Sequence, residues 1–167
     1  KARNEIKEIM PQMDVVIEVI DARIPYSSEN PMVAALRGEK PVIKILNKAD
    51  LADPELTKAW MEYLEQQDGV KAIACDNNKA DDVKRIIAIC KSLVPNKVGT
   101  GRQIKAMIMG IPNVGKSTLI NTLAGRAVAR TGDEPAVTKS QQLIKLDDDI
   151  MLYDTPGMLW PKVENEN

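Results

Sequence analysis

The eight residues Gly110-Ile111-Pro112-Asn113-Val114-Gly115-Lys116-Ser117 read G-x-x-x-x-G-K-S, the pattern of a loop that wraps a phosphate chain. Glycines let the backbone curl around the anion. Unpaired N–H groups at the start of a following helix point at it, and the helix dipole adds to the attraction. The backbone from Asn113 through Val114, Gly115, Lys116, Ser117 and Thr118 is the expected cradle. Lys116 would reach the β- and γ-phosphates, and the Ser117 hydroxyl would bind Mg²⁺.

Two further stretches carry chemistry. Asp154-Thr155-Pro156-Gly157 is D-x-x-G: an acid at a strand end that can hold Mg²⁺ through a water, then a glycine whose N–H can meet the γ-phosphate. Alone, that pattern is usually a turn. Asn47-Lys48-Ala49-Asp50 is N-K-x-D, a guanine-recognition signature. Guanine presents N1–H and an exocyclic amino group on one edge, and the Asp50 carboxylate can accept both. Adenine lacks that donor pair and would leave a buried carboxylate unpaired. The Lys48 stem can lie over the base, and Asn47 can tie this loop to the phosphate loop. By itself Asn47 to Asp50 also fits a polar strand-to-helix turn; the three stretches together point to a guanine nucleotide.

Composition narrows the alternatives. The 167 residues suffice for one domain with a full core. A net charge of −1 argues against a strongly basic nucleic-acid surface, though not against a local basic patch. No apolar run has membrane-spanning length, so no membrane partner is expected. There is no histidine, and the two cysteines, Cys75 and Cys90, form no C-x-x-C. A zinc site is therefore not expected, and reduced thiols of a cytosolic protein are the simple reading. A chain that starts at Lys1 and stops in a polar tail suggests a piece of a longer protein.

The elements that must position these motifs alternate. Ile6, Ile9, Met10 and Met13 predict a short amphipathic helix ended near Pro11. Strands are expected at 15–20, 41–46, 70–75 and 103–109, each an apolar run. A helix is expected at 31–36, stopping at Gly38. Another starts at Asp53-Pro54-Glu55, a capping aspartate followed by proline and an acid, with Leu56, Trp60, Tyr63 and Leu64 as its core stripe. Asp81 and Asp82 open the next, whose core face is Val83, Ile86, Ile87, Cys90 and Leu93. The phosphate-loop helix runs over 118–124 to Gly125. Residues 126–140 read as a mobile loop. Leu143 to Leu146 and Ile150 to Tyr153 flank Asp147-Asp148-Asp149 as an antiparallel hairpin. This is an α/β pattern, a mainly parallel six-stranded sheet covered on both faces.

The motif order is unusual. Ras-like GTPases run phosphate loop, switch threonine, D-x-x-G, N-K-x-D. Here N-K-x-D comes first and D-x-x-G last, a circular permutation. Placed in the Ras-like arrangement, the sheet should run 141–146, 149–154, 103–109, 14–20, 41–46, 70–75, with the first strand the antiparallel edge.

With that order, Asp21-Ala22-Arg23, the phosphate loop, and Asp154 to Gly157 continuing into Met158-Leu159-Trp160-Pro161, the whole chain resembles the YlqF family of circularly permuted GTPases. The resemblance implies a three-layer P-loop GTPase fold over 1–167, lacking the family's C-terminal helical domain. It implies Mg²⁺-dependent GTP hydrolysis, with GTP/GDP and the large ribosomal subunit as partners, in a cytoplasmic protein; a monomer is expected. Thr138 looks like the switch threonine that completes the Mg²⁺ shell with GTP, so the catalytic set is Lys116, Thr138 and Gly157, and the metal set Ser117, Thr138 and Asp154. Cys75-Asp76 occupies the last base-contacting loop, where Ser-Ala is typical. Asn113 resembles the asparagine that binds K⁺ in potassium-activated GTPases, or is a turn former. Asp21 and Arg23 either order the switch region or form a salt-bridged turn. Met158 stands where Ras-like enzymes have the glutamine that orients the attacking water, so slow hydrolysis is expected from this chain alone. The family's proposed substitute is a histidine upstream of the first helix. Two other readings remain, a nucleotide-occupancy switch with little turnover and an ATP-using P-loop enzyme.

Overall fold

The computed structural model describes residues 8–23, 35, 37–75, 80–110, 116–125 and 142–154, without the side chains of Asp50, Ala80 and Val83. Its elements in chain order are β1 (Val15–Asp21), β2 (Val42–Asn47), α1 (Pro54–Leu64), β3 (Val70–Cys75), α2 (Ala80–Leu93), β4 (Ile104–Gly110), α3 (Lys116–Ala124), β5 (Gln142–Lys145) and β6 (Ile150–Asp154). The six strands form one sheet in the order β3-β2-β1-β4-β6-β5, parallel except for the β5–β6 pair. That is the arrangement expected from the permuted motif order.

Apolar residues dominate β1, β2 and β4 because both faces of these strands are covered. On one face Val15, Ile17, Val19, Ile43, Ile45 and Ile108 pack against Ile86 and Cys90 of α2 and Leu119, Ile120 and Leu123 of α3. On the other, Val16, Ile20, Val42, Leu46 and Met107 pack with Leu64 of α1 and with Met10 and Met13. Each fully buried Val, Ile or Leu contributes on the order of 1.5–3 kcal/mol. The result is three layers, helices on both faces of a mainly parallel sheet.

Helix ends follow their local chemistry. The Asp53 side chain accepts from the Glu55 N–H at 2.9 Å and caps α1, with Pro54 in the first turn. Gly125 ends α3 at φ +74°, its N–H reaching the Asn121 and Thr122 carbonyls. The rim where the strands begin is stitched by ion pairs. Asp147 accepts from the N–H groups of Asp149 and Ile150 and pairs with Lys91 of α2 at 3.0 Å. Asp14 pairs with Lys97 at 2.9 Å.

Several expectations shift. The helical stretch before β1 ends near Pro11 as expected, but as a 3₁₀ turn over Met10–Gln12 with Pro11 inside it, a position that needs no N–H. α3 begins at Lys116 rather than residue 118. The stripe on α1 is also different. Leu56 and Tyr63 are each 57% exposed, while Thr57 and Leu64 face the sheet and Trp60 and Met61 are partly covered. The expected helix at 31–36, apart from Ala35, and the loop at 126–140 lie outside the described residues.

Glu18 and Lys44 are the surprise of the core. They are cross-strand partners in β1 and β2, paired at 3.1 Å with side chains 1% and 6% exposed. The charges interrupt two apolar runs in the sequence, and the strand register brings them together.

Candidate functional site

The sheet collects the motifs at one rim because the motif residue that closes each apolar run is the last residue of a parallel strand. Asp21 ends β1, Asn47 ends β2, Cys75 ends β3, Gly110 ends β4 and Asp154 ends β6. The register aligns Asp21 with Asn47 and Asn47 with Cys75, while Val19 faces Gly110 and Ile108 faces Asp154. Strands from opposite ends of the sequence thus deliver their motifs to one crevice edge, the place where open α/β sheets bind ligands.

On the phosphate side, α3 starts at Lys116, immediately after the glycine loop, with Ser117 half-buried and Thr118 exposed in its first turn. The Lys116 ammonium meets the buried carboxylate of Asp154 at 2.5 Å. A flexible lysine, a hydroxyl and a carboxylate therefore share one end of β4 and β6. A hydroxyl and a carboxylate are hard oxygen donors, and Mg²⁺ commonly takes only one or two such protein ligands beside substrate phosphates and water. Ser117 and Asp154 fit that need.

On the base side, Asn47 is fully buried, and its backbone carbonyl accepts the Ala22 N–H at 2.8 Å. Lys48 follows in the left-handed region at φ 61°, ψ 35°, alone among the described non-glycine residues in having a positive φ. Such a residue costs on the order of 1 kcal/mol or more and marks a built turn. A 3₁₀ turn, Ala49–Leu51, comes next, with Ala49 packed on the core. The backbone of Asp50 lies in this turn; its side chain is outside the described atoms. Cys75 is buried and forms no disulfide. The other thiol, Cys90, is pushed up to about 12 by burial and by the Asp147 carboxylate, which leaves it inert.

Between the two halves stands Asp21-Ala22-Arg23, which forms the salt-bridged turn. Asp21 Oδ1 accepts from the Arg23 N–H at 2.9 Å and from Nε at 3.0 Å, and Oδ2 accepts from the second guanidinium nitrogen at 2.7 Å. The Lys48 ammonium lies 3.8 Å from Oδ2. The Arg23 hydrogen bond holds the Asp21 carboxyl below its ordinary range; burial opposes this, and the charges of Arg23 and Lys48 support it. Asp21 and Arg23 are thus linked to the base-side loop. The Asp21–Lys48 contact was not foreseen, since its signal lies only in the cross-strand alignment of two motif ends.

Asn47, Lys48, Ala49, Cys75, Lys116, Ser117, Thr118 and Asp154 all lie in the described structure on this rim or in the first turns beyond it. Asp76, Asn113, Val114, Gly115, Thr138 and Gly157 lie outside the described residues, as does Met158.

Comparison with known proteins agrees with this arrangement. A family model for 50S ribosome-binding GTPases matches residues 105–167. Ribosome biogenesis GTPase A of Priestia megaterium is 47% identical over 99% of this chain and 60% of its own length. That of Bacillus cereus is 49% identical over 99% of this chain and 58% of its own. A GNP-bound YlqF from T. maritima superimposes with a TM-score of 0.69 at 29% identity, over 98% of this chain and 60% of that one.

The chain belongs to the YlqF family.

Its fold is the circularly permuted P-loop GTPase fold. It spans about 60% of the length of the YlqF-family relatives it matches. Among the described residues no helix is long and apolar enough to cross a membrane.

Proposed function

We propose that this chain is the GTP-binding and GTP-hydrolysing region of a protein that acts in late assembly of the large ribosomal subunit. The observation that carries the reading is the convergence of Asn47-Lys48, Lys116-Ser117 and Asp154 on one sheet rim from a permuted chain order. Relatives that match nearly the whole chain bear the name ribosome biogenesis GTPase A, which supports it.

In this reading Asp50 accepts the two guanine donors, and Asn47 and Lys48 shape the loop that presents it. Cys75 and Asp76 supply the last base contact through backbone. Asn113 to Thr118 cradle the phosphates, and Lys116 leaves Asp154 to meet them. Mg²⁺ would sit between Ser117, Asp154 and Thr138, where it would neutralise charge developing on the phosphates. Gly157 would report the γ-phosphate. K⁺ beside Asn113 would add a fixed charge there. The protein would act as a cytoplasmic monomer, with the family's helical domain completing it beyond residues 1–167. Met158 and the absence of histidine make the chain slow alone. A partner-supplied or partner-ordered group is worth roughly 10³–10⁵ in GTPase rate, and the ribosomal particle is the proposed source.

The test is single-turnover GTP hydrolysis by these 167 residues in Na⁺ and in K⁺, and by the full-length protein with and without large ribosomal subunits, alongside GDP and ADP titrations. GDP binding without ADP binding, and acceleration by the particle, are expected. Equal affinity for ADP would overturn the guanine assignment. Fast turnover by the isolated 167 residues in Na⁺ would overturn the proposed need for a partner.

A further inference from the structure

The outer face of α1 is more apolar than a solvent-facing helix needs to be. Leu56 and Tyr63 are 57% exposed, Ala59 is exposed, and Trp60 sits half-buried between them. Spacing of i, i+3, i+4 and i+7 puts all four on one stripe. They line an open groove of about 290 Å³. The two rings stand edge to face, centroids 5.5 Å apart at 90°, so the aromatic surface is already arranged. The groove is just below the size range of small-molecule sites, roughly 300–1,000 Å³. It suits side chains of a macromolecule better than a cofactor.

The charge around it selects among macromolecules. Residues 53–68 carry five carboxylates, Asp53, Glu55, Glu62, Glu65 and Asp68, against the single cation Lys58; Asp53 caps α1 and Glu65 accepts the Ala72 N–H of β3 at 2.8 Å, so the groove's own rim is Glu55 and Glu62. All six are exposed. At 100° per residue, Glu55 and Glu62 fall side by side along the stripe edge away from the sheet. Unpaired bases could stack on the rings, but their phosphates would meet this row of carboxylates. A second copy of the chain would set the same carboxylates against each other across a two-fold axis. A segment rich in Lys and Arg satisfies both features, its apolar or aliphatic parts on the rings and its charges on the rim.

We infer that this face of α1 docks a Lys/Arg-rich protein segment of the immature large ribosomal subunit, with Leu56, Trp60 and Tyr63 as the anchor. The inference rests on the proposed ribosomal function. It adds the chemistry of one contact. Leu51, in the 3₁₀ turn of the base-side loop, is likewise 60% exposed.

The experiment uses the full-length protein and purified immature large subunits. Tyr63→p-benzoylphenylalanine is irradiated in the complex and the adduct sequenced. A crosslink to a Lys/Arg-rich stretch of a ribosomal protein is expected; a crosslink to rRNA, to the protein's own chain, or to nothing overturns the inference. Leu56→Ser with Tyr63→Ser should weaken particle binding about tenfold or more, while turnover of the free protein stays unchanged. Glu55→Lys with Glu62→Lys should weaken it too; stronger binding would show that the partner is RNA and overturn the inference. Because these side chains are largely exposed, an unchanged melting temperature verifies that the variants fold. If the unsubstituted protein does not sediment with the particle, the proposed function fails and the docking site with it. If it does, and both double variants bind normally, the docking site alone fails.

Discussion

Asp21→Asn separates the charge of the Asp21 turn from its shape, because asparagine keeps an oxygen that can accept from Arg23. The carboxylate is 5% exposed and holds three hydrogen bonds from Arg23, with Lys48 at 3.8 Å. Hydrogen bonds to a charged group are worth about 1.5–3 kcal/mol. The Arg23 side chain is 46% exposed, which places the loss toward the lower half of that range. A cost of about 2 kcal/mol lowers the melting temperature of a domain of this size by about 4–8 °C.

A second effect reaches the nucleotide. Lys48 holds a left-handed conformation that lysine does not favour, and the Asp21 charge helps keep it there. Releasing that hold at about 1 kcal/mol weakens GDP binding by roughly fivefold. The pH dependence gives the sign. The folded pKa of Asp21 is depressed below 3.8. Its contribution is therefore fully present above the unfolded value and is lost as pH falls through the folded one. Urea unfolding of wild type and Asp21→Asn should differ by a constant amount from pH 5 upward and converge at lower pH. The assays are urea melts from pH 3 to 7 and fluorescent-GDP titration at pH 7. A stability gap that persists undiminished at the lowest pH, or unchanged GDP affinity in a folded variant, would refute the electrostatic account of this turn.

Other outcomes follow from the same geometry. Asp50→Asn should exchange guanine for xanthine preference, measured by GDP and XDP titration; undiminished GDP affinity with no gain for XDP would remove residues 47–50 from the base site. Lys116→Ala and Ser117→Ala should each abolish GTP hydrolysis, read as phosphate release, and Ser117→Ala should also raise the Mg²⁺ concentration required for nucleotide binding. Lys116→Ala should in addition cost about 1–3 kcal/mol without nucleotide, because it leaves the buried Asp154 carboxylate without its ammonium partner. Glu18→Gln should destabilise by about 3–5 kcal/mol in denaturant melts, whereas Glu18→Leu with Lys44→Met should be neutral or stabilising. A double variant as unstable as the single one would mean that the pair supplies more than mutual charge compensation.

The sheet was legible because buried parallel strands must be written as apolar runs. Val15 to Ile20 and Val42 to Leu46 could be little else, and each runs straight into a polar motif residue, Asp21 or Asn47, that ends the strand. Motif order then dictated strand order. The α1 stripe was not legible. Apolar residues occupy Leu56, Ala59, Trp60, Met61, Tyr63 and Leu64, more than half the circumference, and helical period alone cannot say which part meets the sheet. The answer depends on where α1 crosses β3, and there Thr57 and Leu64 win the buried side. Lys48 is unreadable for a related reason. Nothing in a lysine predicts a positive φ; the turn out of β2 imposes it, and Asp21 from another strand helps sustain it. Glu18 and Lys44 each interrupt an apolar run, which gives no hint of a partner. Only register turns two apparent defects into one pair. In each case the missing information is tertiary: the residue type states a local preference, and a neighbour distant in sequence decides whether that preference is met, overridden or compensated.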